Sequence, residues 1–266
     1  MNATRSLVID SKGGSRSLLA NMNRIWVVAR KDMRDLLSGK FYLYVILMCL
    51  ICLPYFDGAR NVLNGLSKQG ASPEELRLAA QSFLNALAFT LPISLAMLVC
   101  SVFASYSILM DKTKRTLESL IATPLSLRQI WLGKSLAVAL PGLAVGLLIS
   151  LLTILAVDLA IVRPATGSVL VPGAFPLVSA LIISPVLVLL VVLMVSVLQM
   201  IMTNPRIPSI IFSVIFIAIY MSAVVQAIPR WNFGQSYLAA AVVVGIVLLF
   251  LLRLLTKERT VLSSKG

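Results

Sequence analysis

Six long apolar runs leave this chain little choice of solvent. They are Phe41–Phe56, Phe83–Met110, Ser135–Ile161, Phe175–Met202, Ile207–Ile228 and Gln235–Leu255. A helix needs about 20 apolar residues to cross a hydrocarbon layer of ~30 Å. Five of the runs meet that length, and the first is expected to extend into its flanks. Apolarity within them is continuous rather than alternating, which predicts helices and not barrel strands. Only 12% of the 266 residues are charged, against 59% hydrophobic. That is about half the charge of an ordinary soluble domain. The expected fold is an all-α membrane protein with six transmembrane helices.

Charge gives the bundle a direction. The N-terminal arm, the stretch 111–134, the turn 203–206 and the tail from Arg253 hold 18 of the 23 Lys and Arg residues. The opposite side holds Arg60, Lys68, Arg77, Arg163 and Arg230. The excess of Lys and Arg on cytoplasmic loops predicts that both termini are cytoplasmic, a parity that six spans satisfy. The organisation read from this is a cytoplasmic arm over 1–40, a membrane domain over 41–255 and a cytoplasmic tail over 256–266. The first 24 residues are polar, which predicts no secretory leader. A net charge of +13 invites a nucleic-acid reading. The basic residues cluster at span ends, however, where anionic lipid and topology account for them, so no nucleic-acid partner is expected.

Chemistry-bearing residues are scarce. Cys49, Cys52 and Cys100 lie inside apolar runs, so no extracellular disulfide framework is expected. The chain has no histidine. That leaves no His-ligated zinc and no Ser–His or Cys–His pair, and neither a metal site nor a catalytic residue is expected. Asp158, near the outer end of the third span, is expected to be solvated with Arg163 nearby. Pro92, Pro141 and Pro185 fall within the second to fourth spans and predict kinks.

Residues Arg24 to Leu37 read as an amphipathic helix. At about 100° per residue, Ile25, Trp26, Ala29, Met33, Leu36 and Leu37 share one arc. Arg30, Lys31, Arg34 and Asp35 lie opposite, with Val27 and Val28 among them. Such a helix is expected in the headgroup plane, with Trp26 at the interface and Arg30 and Arg34 toward anionic lipid. Trp231, beside the last span, is a second expected interfacial anchor.

Between the second and third runs lies the polar stretch Asp111 to Lys134. Leu117, Leu120 and Ile121 recur at helical spacing, with Lys114, Arg115 and Glu118 on the other face. Pro124 disfavours helix at Thr123, and Ser126 is the expected N-cap of a second piece from Leu127 to Lys134. The stretch therefore predicts a helix–break–helix element on the cytoplasmic side, able to take force from a partner with a groove for it.

The string RTLESLIATPLSLRQIWLGK resembles the segment between the second and third spans of ABC type-2 transporter permeases. The resemblance rests on Thr116, Leu117, Glu118, Leu120, Thr123, Pro124, Leu125, Ser126, Gly133 and Lys134. The segment ARKDMRDLLSGKFYLYVILMCLICLPYF also looks like that family's connecting helix and first span, and RLLTKERTVL like its tail. Where many such loops carry an acidic residue and Arg-Gly before the Thr-Leu-Glu, this chain has Lys114-Arg115. The resemblance implies the membrane subunit of an ATP-driven exporter in a prokaryotic plasma membrane, working as a homodimer or with a related permease. It implies ABC ATP-binding subunits as partners, with ATP and Mg bound there and not on this chain. Arg115, Thr116, Glu118, Thr123, Pro124, Arg128 and Lys134 would then form the coupling interface. A lipid, a peptide, a drug or an ion all stay open as cargo. Only Pro229 to Gly234 separate the last two runs, which leaves little room for re-entrant external helices.

Gly133-Lys134-Ser135 echoes the end of a phosphate-binding loop. The first glycine of that loop is missing, since position 128 is Arg. Two other classes stay open: an intramembrane enzyme, whose candidate polar groups would include Asn85 and Gln199, and a non-transporting scaffold.

Overall fold

In a computed structural model of the chain, residues 22–37, 41–113, 125–202, 204, 207–208, 210–215, 217 and 233–254 are described. Among the described residues the secondary structure is helical throughout, with no strand. Helix α1 covers 22–37, α2 Phe41–Lys68 and α3 Pro73–Thr113. Helix α4 runs over Leu127–Thr166, α5 over Ala174–Ile201 and α6 over Phe233–Leu254. Between α5 and α6, residues 207, 208, 210–215 and 217 are helical. Four helices, α2 to α5, are long and apolar enough to cross a membrane. Together they describe an integral membrane protein.

Spans α2, α3 and α4 are longer than their apolar runs, whereas α5 matches its run. Helix α3 has 41 residues and α4 has 40. At 1.5 Å per residue each is about 60 Å long, twice the hydrocarbon thickness. The extra length of α3 comes from the polar segment Pro73–Ser82, started by a capping box. There Ser72 Oγ accepts from Glu75 N–H, and Glu75 Oε2 accepts from Ser72 N–H at 2.7 Å. Most of the extra length of α4 comes from Leu127–Lys134. The expected short helix after Pro124 is thus no separate piece but the first two turns of a span. Ser126 caps it as expected, reciprocally with Gln129.

Helices α2, α3, α4 and α5 run up and down in turn. Tyr44 meets Phe103 edge to face at 6.1 Å, and Gly58 faces Phe83, which sets α2 antiparallel to α3. Helix α3 is the centre of the bundle: Leu84, Ala88, Leu91, Ile93, Met97 and Cys100 are all buried. Helix α2 lies at the edge, with Tyr42, Ile46, Leu50 and Leu53 exposed as befits a lipid-facing stripe. The closest packing is between α3 and α4. A Cβ on Gly146 would come within 2.8 Å of the backbone N, Cα and Cβ of Ala96, and one on Gly142 would collide with Cys100 Sγ. Small residues four apart bring two helix backbones into direct contact. In lipid, where apolar side chains gain little by leaving the solvent, such contact drives association.

Several hydroxyls in the spans are satisfied locally, while those of Ser94, Ser179 and Ser184 have no hydrogen-bond partner among the described residues. The hydroxyls of Thr90, Ser135, Thr153 and Ser196 donate to the carbonyls of Ala86, Trp131, Ile149 and Val192, each one turn back. Two turns are wider than α-helical: Asp158–Val162 in α4 and Ser179–Ile183 in α5. Each directly precedes a proline near the start of the next helical stretch, Pro164 and Pro185. A π turn shifts the hydrogen-bond register past the amide that proline lacks. Pro185 thus lies beside an irregularity in its helix, whereas Pro92, Pro141 and also Pro54 lie inside continuous α-helix.

The α3–α4 contact yields a direct test. Gly146→Ala is expected to destabilise the protein by about 1–3 kcal/mol through overpacking. Gly245→Ala in α6, with nothing within 4 Å of the new methyl, is expected to leave stability equal or slightly higher. Thermal unfolding in detergent micelles compares them, and equal melting temperatures would contradict the seam.

Candidate functional site

The site is built where the start of α4 meets α1. Three buried residues in succession along α4 make different contacts there. Trp131 Nε1 donates to Leu193 O of α5 at 3.2 Å, tying this end of α4 to the bundle. Gly133 lies against α1: a Cβ at that position would fall 2.9 Å from Val28 Cβ and Cγ1 and 3.0 Å from Ile25 O. Only the missing side chain lets α1 approach this closely. Lys134 then extends its side chain to Asp32, with Nζ 2.9 Å from Oδ2. Its side chain is 1% exposed and that of Asp32 17%.

A lysine withdrawn this far from water carries a desolvation cost of several kcal/mol, which only a close carboxylate offsets. The pair therefore specifies where α1 docks. Asp32 is one helical turn beyond Val28, and Lys134 is the residue after Gly133. The void and the charge together fix α1 both in its distance from α4 and in its position along it.

The expected amphipathic face of α1 is divided by this docking. Val28, read from sequence onto the charged side, is buried with Ala29 and Leu36. Trp26 and Leu37, read onto the apolar arc, are exposed at 48% and 38%. The face of α1 turned to α4 is the one where Val28 meets Gly133 and Asp32, between Val28 and Ile25 round the helix, pairs with Lys134. An acid in the middle of an apolar stripe was the available signal: it calls for a buried cation.

Of the expected coupling residues, Arg128 is exposed in the first turn of α4. Lys134 is not on the surface at all; its charge is used inside the chain, on Asp32. Arg115, Thr116, Glu118, Thr123 and Pro124 lie outside the described residues. Arg30 and Arg34 are exposed on α1, and Trp231 lies outside the described residues.

At the opposite end of the bundle, the turn from Gly167 to Gly173 is held by side chains of the spans. Asp158 Oδ1 accepts from Leu170 N–H at 3.1 Å, Asn85 Oδ1 from Gly173 N–H at 2.8 Å, and Gln81 Nε2 donates to Val171 O at 2.7 Å. The expectation of a solvated Asp158 is corrected: it is 2% exposed, and its Oδ2 has no hydrogen-bond partner among the described residues. The turn folds back over it, a long-range event that the neighbouring sequence does not announce. Asn85 likewise serves the turn. Among the described residues no group of His, Cys, Asp or Glu could hold a metal ion.

Comparison with protein-family models and with curated proteins finds no match to this chain.

Separate replacement of the two ion-pair partners is expected to cost about 3–5 kcal/mol for Asp32→Leu, which leaves a deeply buried lysine without its carboxylate. Lys134→Met should cost less, since Asp32 reaches water more readily. Combining Asp32→Leu with Lys134→Met should recover most of the loss. Melting temperatures of the variants in one detergent decide this; additive losses in the double variant would disprove the coupling.

Proposed function

We propose that this chain is the membrane subunit of an ATP-driven exporter of the ABC type-2 permease kind. One observation carries the reading most: the second half of the stretch 111–134 continues without a break into α4 and is clamped to α1 by Gly133 and the Lys134–Asp32 pair. A force applied near Thr123-Pro124 would enter a helix some 60 Å long at its very tip. A flexible connector would dissipate such a force; a capped helix passes it on. Of the residues that carry the family resemblance, Leu125, Ser126, Gly133 and Lys134 are described, and they lie at or beside this tip.

In this reading six spans place both termini in the cytoplasm, and two such subunits, identical or related, enclose a path. Soluble ATP-binding subunits dock on the stretch 111–134 and supply the ATP and Mg. Their closure pushes on Arg115, Glu118 and Arg128 and shifts the balance between inward-open and outward-open arrangements. Lys134 acts one step removed, by keeping α1 and α4 moving as one body.

Purification from the native membrane under mild conditions should bring down a soluble ATPase with this chain. Glu118→Gln combined with Arg128→Gln is expected to leave the spans folded while uncoupling ATP hydrolysis from transport in reconstituted vesicles. Coupled transport that survives both changes would remove these residues from the interface.

A further inference from the structure

The roll of α1 toward α4 leaves half of its apolar arc uncovered. At about 100° per residue, Met22, Met33, Trp26 and Leu37 fall in a strip roughly 60° wide, beside the seam formed by Val28, Ala29, Asp32 and Leu36. Met22, Trp26 and Leu37 are exposed. Arg30 and then Arg34 follow within about another 60° on the side away from the seam, and both are exposed. An open cleft of about 920 Å³ runs along this side, bordered by Arg30, Lys31, Met33, Arg34 and Leu37. Asp35, the acid on this cleft, lies about 100° round the helix from Arg34, beside Lys31. Asp32 lies about 160° from both arginines, across the helix, where it is engaged by Lys134.

We propose that this face of α1 is a binding surface for anionic phospholipid headgroups. Arg30 and Arg34 would hold the phosphate oxygens, and the strip of Met22, Trp26 and Leu37 would lie against the upper part of the acyl chains. A guanidinium presents its donors in a planar fork that matches two phosphate oxygens. Tryptophan favours the headgroup level, and an apolar strip flanked by arginine is the pattern of a helix lying in the membrane surface. The charge is complementary to an anionic leaflet and to nothing apolar. Because Gly133 and the ion pair fasten α1 to α4, lipid held here bears on the same helix tip that the stretch 111–134 leads into. The composition of the surrounding leaflet thereby becomes an input to the position of α4. The inference requires only that the chain sits in a bilayer, so it stands or falls separately from the exporter reading.

The test uses the full chain in nanodiscs of phosphatidylcholine containing a minority of phosphatidylglycerol. Spin-labelled versions of the two lipids give their relative association with the protein. The unaltered chain should prefer phosphatidylglycerol, and Arg30→Gln with Arg34→Gln should reduce that preference on the order of tenfold. Arg30→Lys with Arg34→Lys, which keeps the charge and the fold but loses the fork, should fall between. Arg163→Gln, an exposed arginine at the opposite end, should change nothing. The absence of a preference in the unaltered chain overturns the proposal, as does an equal loss in the Arg163 variant. Displacement of the bound phosphatidylglycerol by inorganic phosphate alone would mark a soluble-anion site and overturn it too.

Discussion

The direct contact between α3 and α4 is the constraint on which the rest of the structure depends. In a bilayer, two apolar helices gain little by leaving lipid for each other, and what holds them is close van der Waals contact. Gly142 and Gly146 provide it by letting the α4 backbone rest on Ala96 and Cys100. With α3 and α4 so fixed, α2 packs on one side through Tyr44 and Phe103, and α5 is reached through Trp131 and Leu193. The overhang of α4 then stands in a defined place, and α1 has something rigid to dock on.

That docking uses two devices that would each be insufficient alone. The space left by Gly133 permits α1 to come close but sets no position along the helix. The Lys134–Asp32 pair sets the position but, without the space, its partners would not meet at 2.9 Å. Adjacent residues of one motif thus do complementary work within the chain. The Gly-Lys that closes the stretch 111–134 is occupied with intramolecular packing, while Arg128, a turn and a half earlier, is left on the surface.

The sequence made the spans legible wherever apolarity was uninterrupted, and α5 begins and ends within a residue of its apolar run. It was less informative where polar residues extend a helix beyond the hydrocarbon. The Ser72–Glu75 box at the head of α3 was readable as a start signal, yet the apolar run begins ten residues later and drew the boundary to itself. Leu127–Lys134 carries charge as a loop would, yet the one residue in it that disfavours helix is Gly133, whose role is packing, and the helix runs through it. Cys100, inside an apolar run, packs directly against Gly142. The spacing of Gly142 and Gly146 was itself a known signature of close helix contact. Asp32 and Asp158 were harder for opposite reasons: the first betrayed itself by position on an apolar face, whereas the second depends on the amide of Leu170, brought over it by a turn that only the folded chain forms.

The seam also divides α4 in a way that has a mechanical meaning. Taken midway between Gly142 and Gly146, it leaves about 27 Å of helix toward Ser126 and about 33 Å toward Thr166. That is a see-saw with nearly equal arms and its fulcrum on Ala96. Any tilt about it reverses direction: each ångström gained at the clamped end appears as about 1.2 Å of opposite travel at the other. The load on that far arm is the turn held by Asp158 and Asn85, with a widened turn on either side of it.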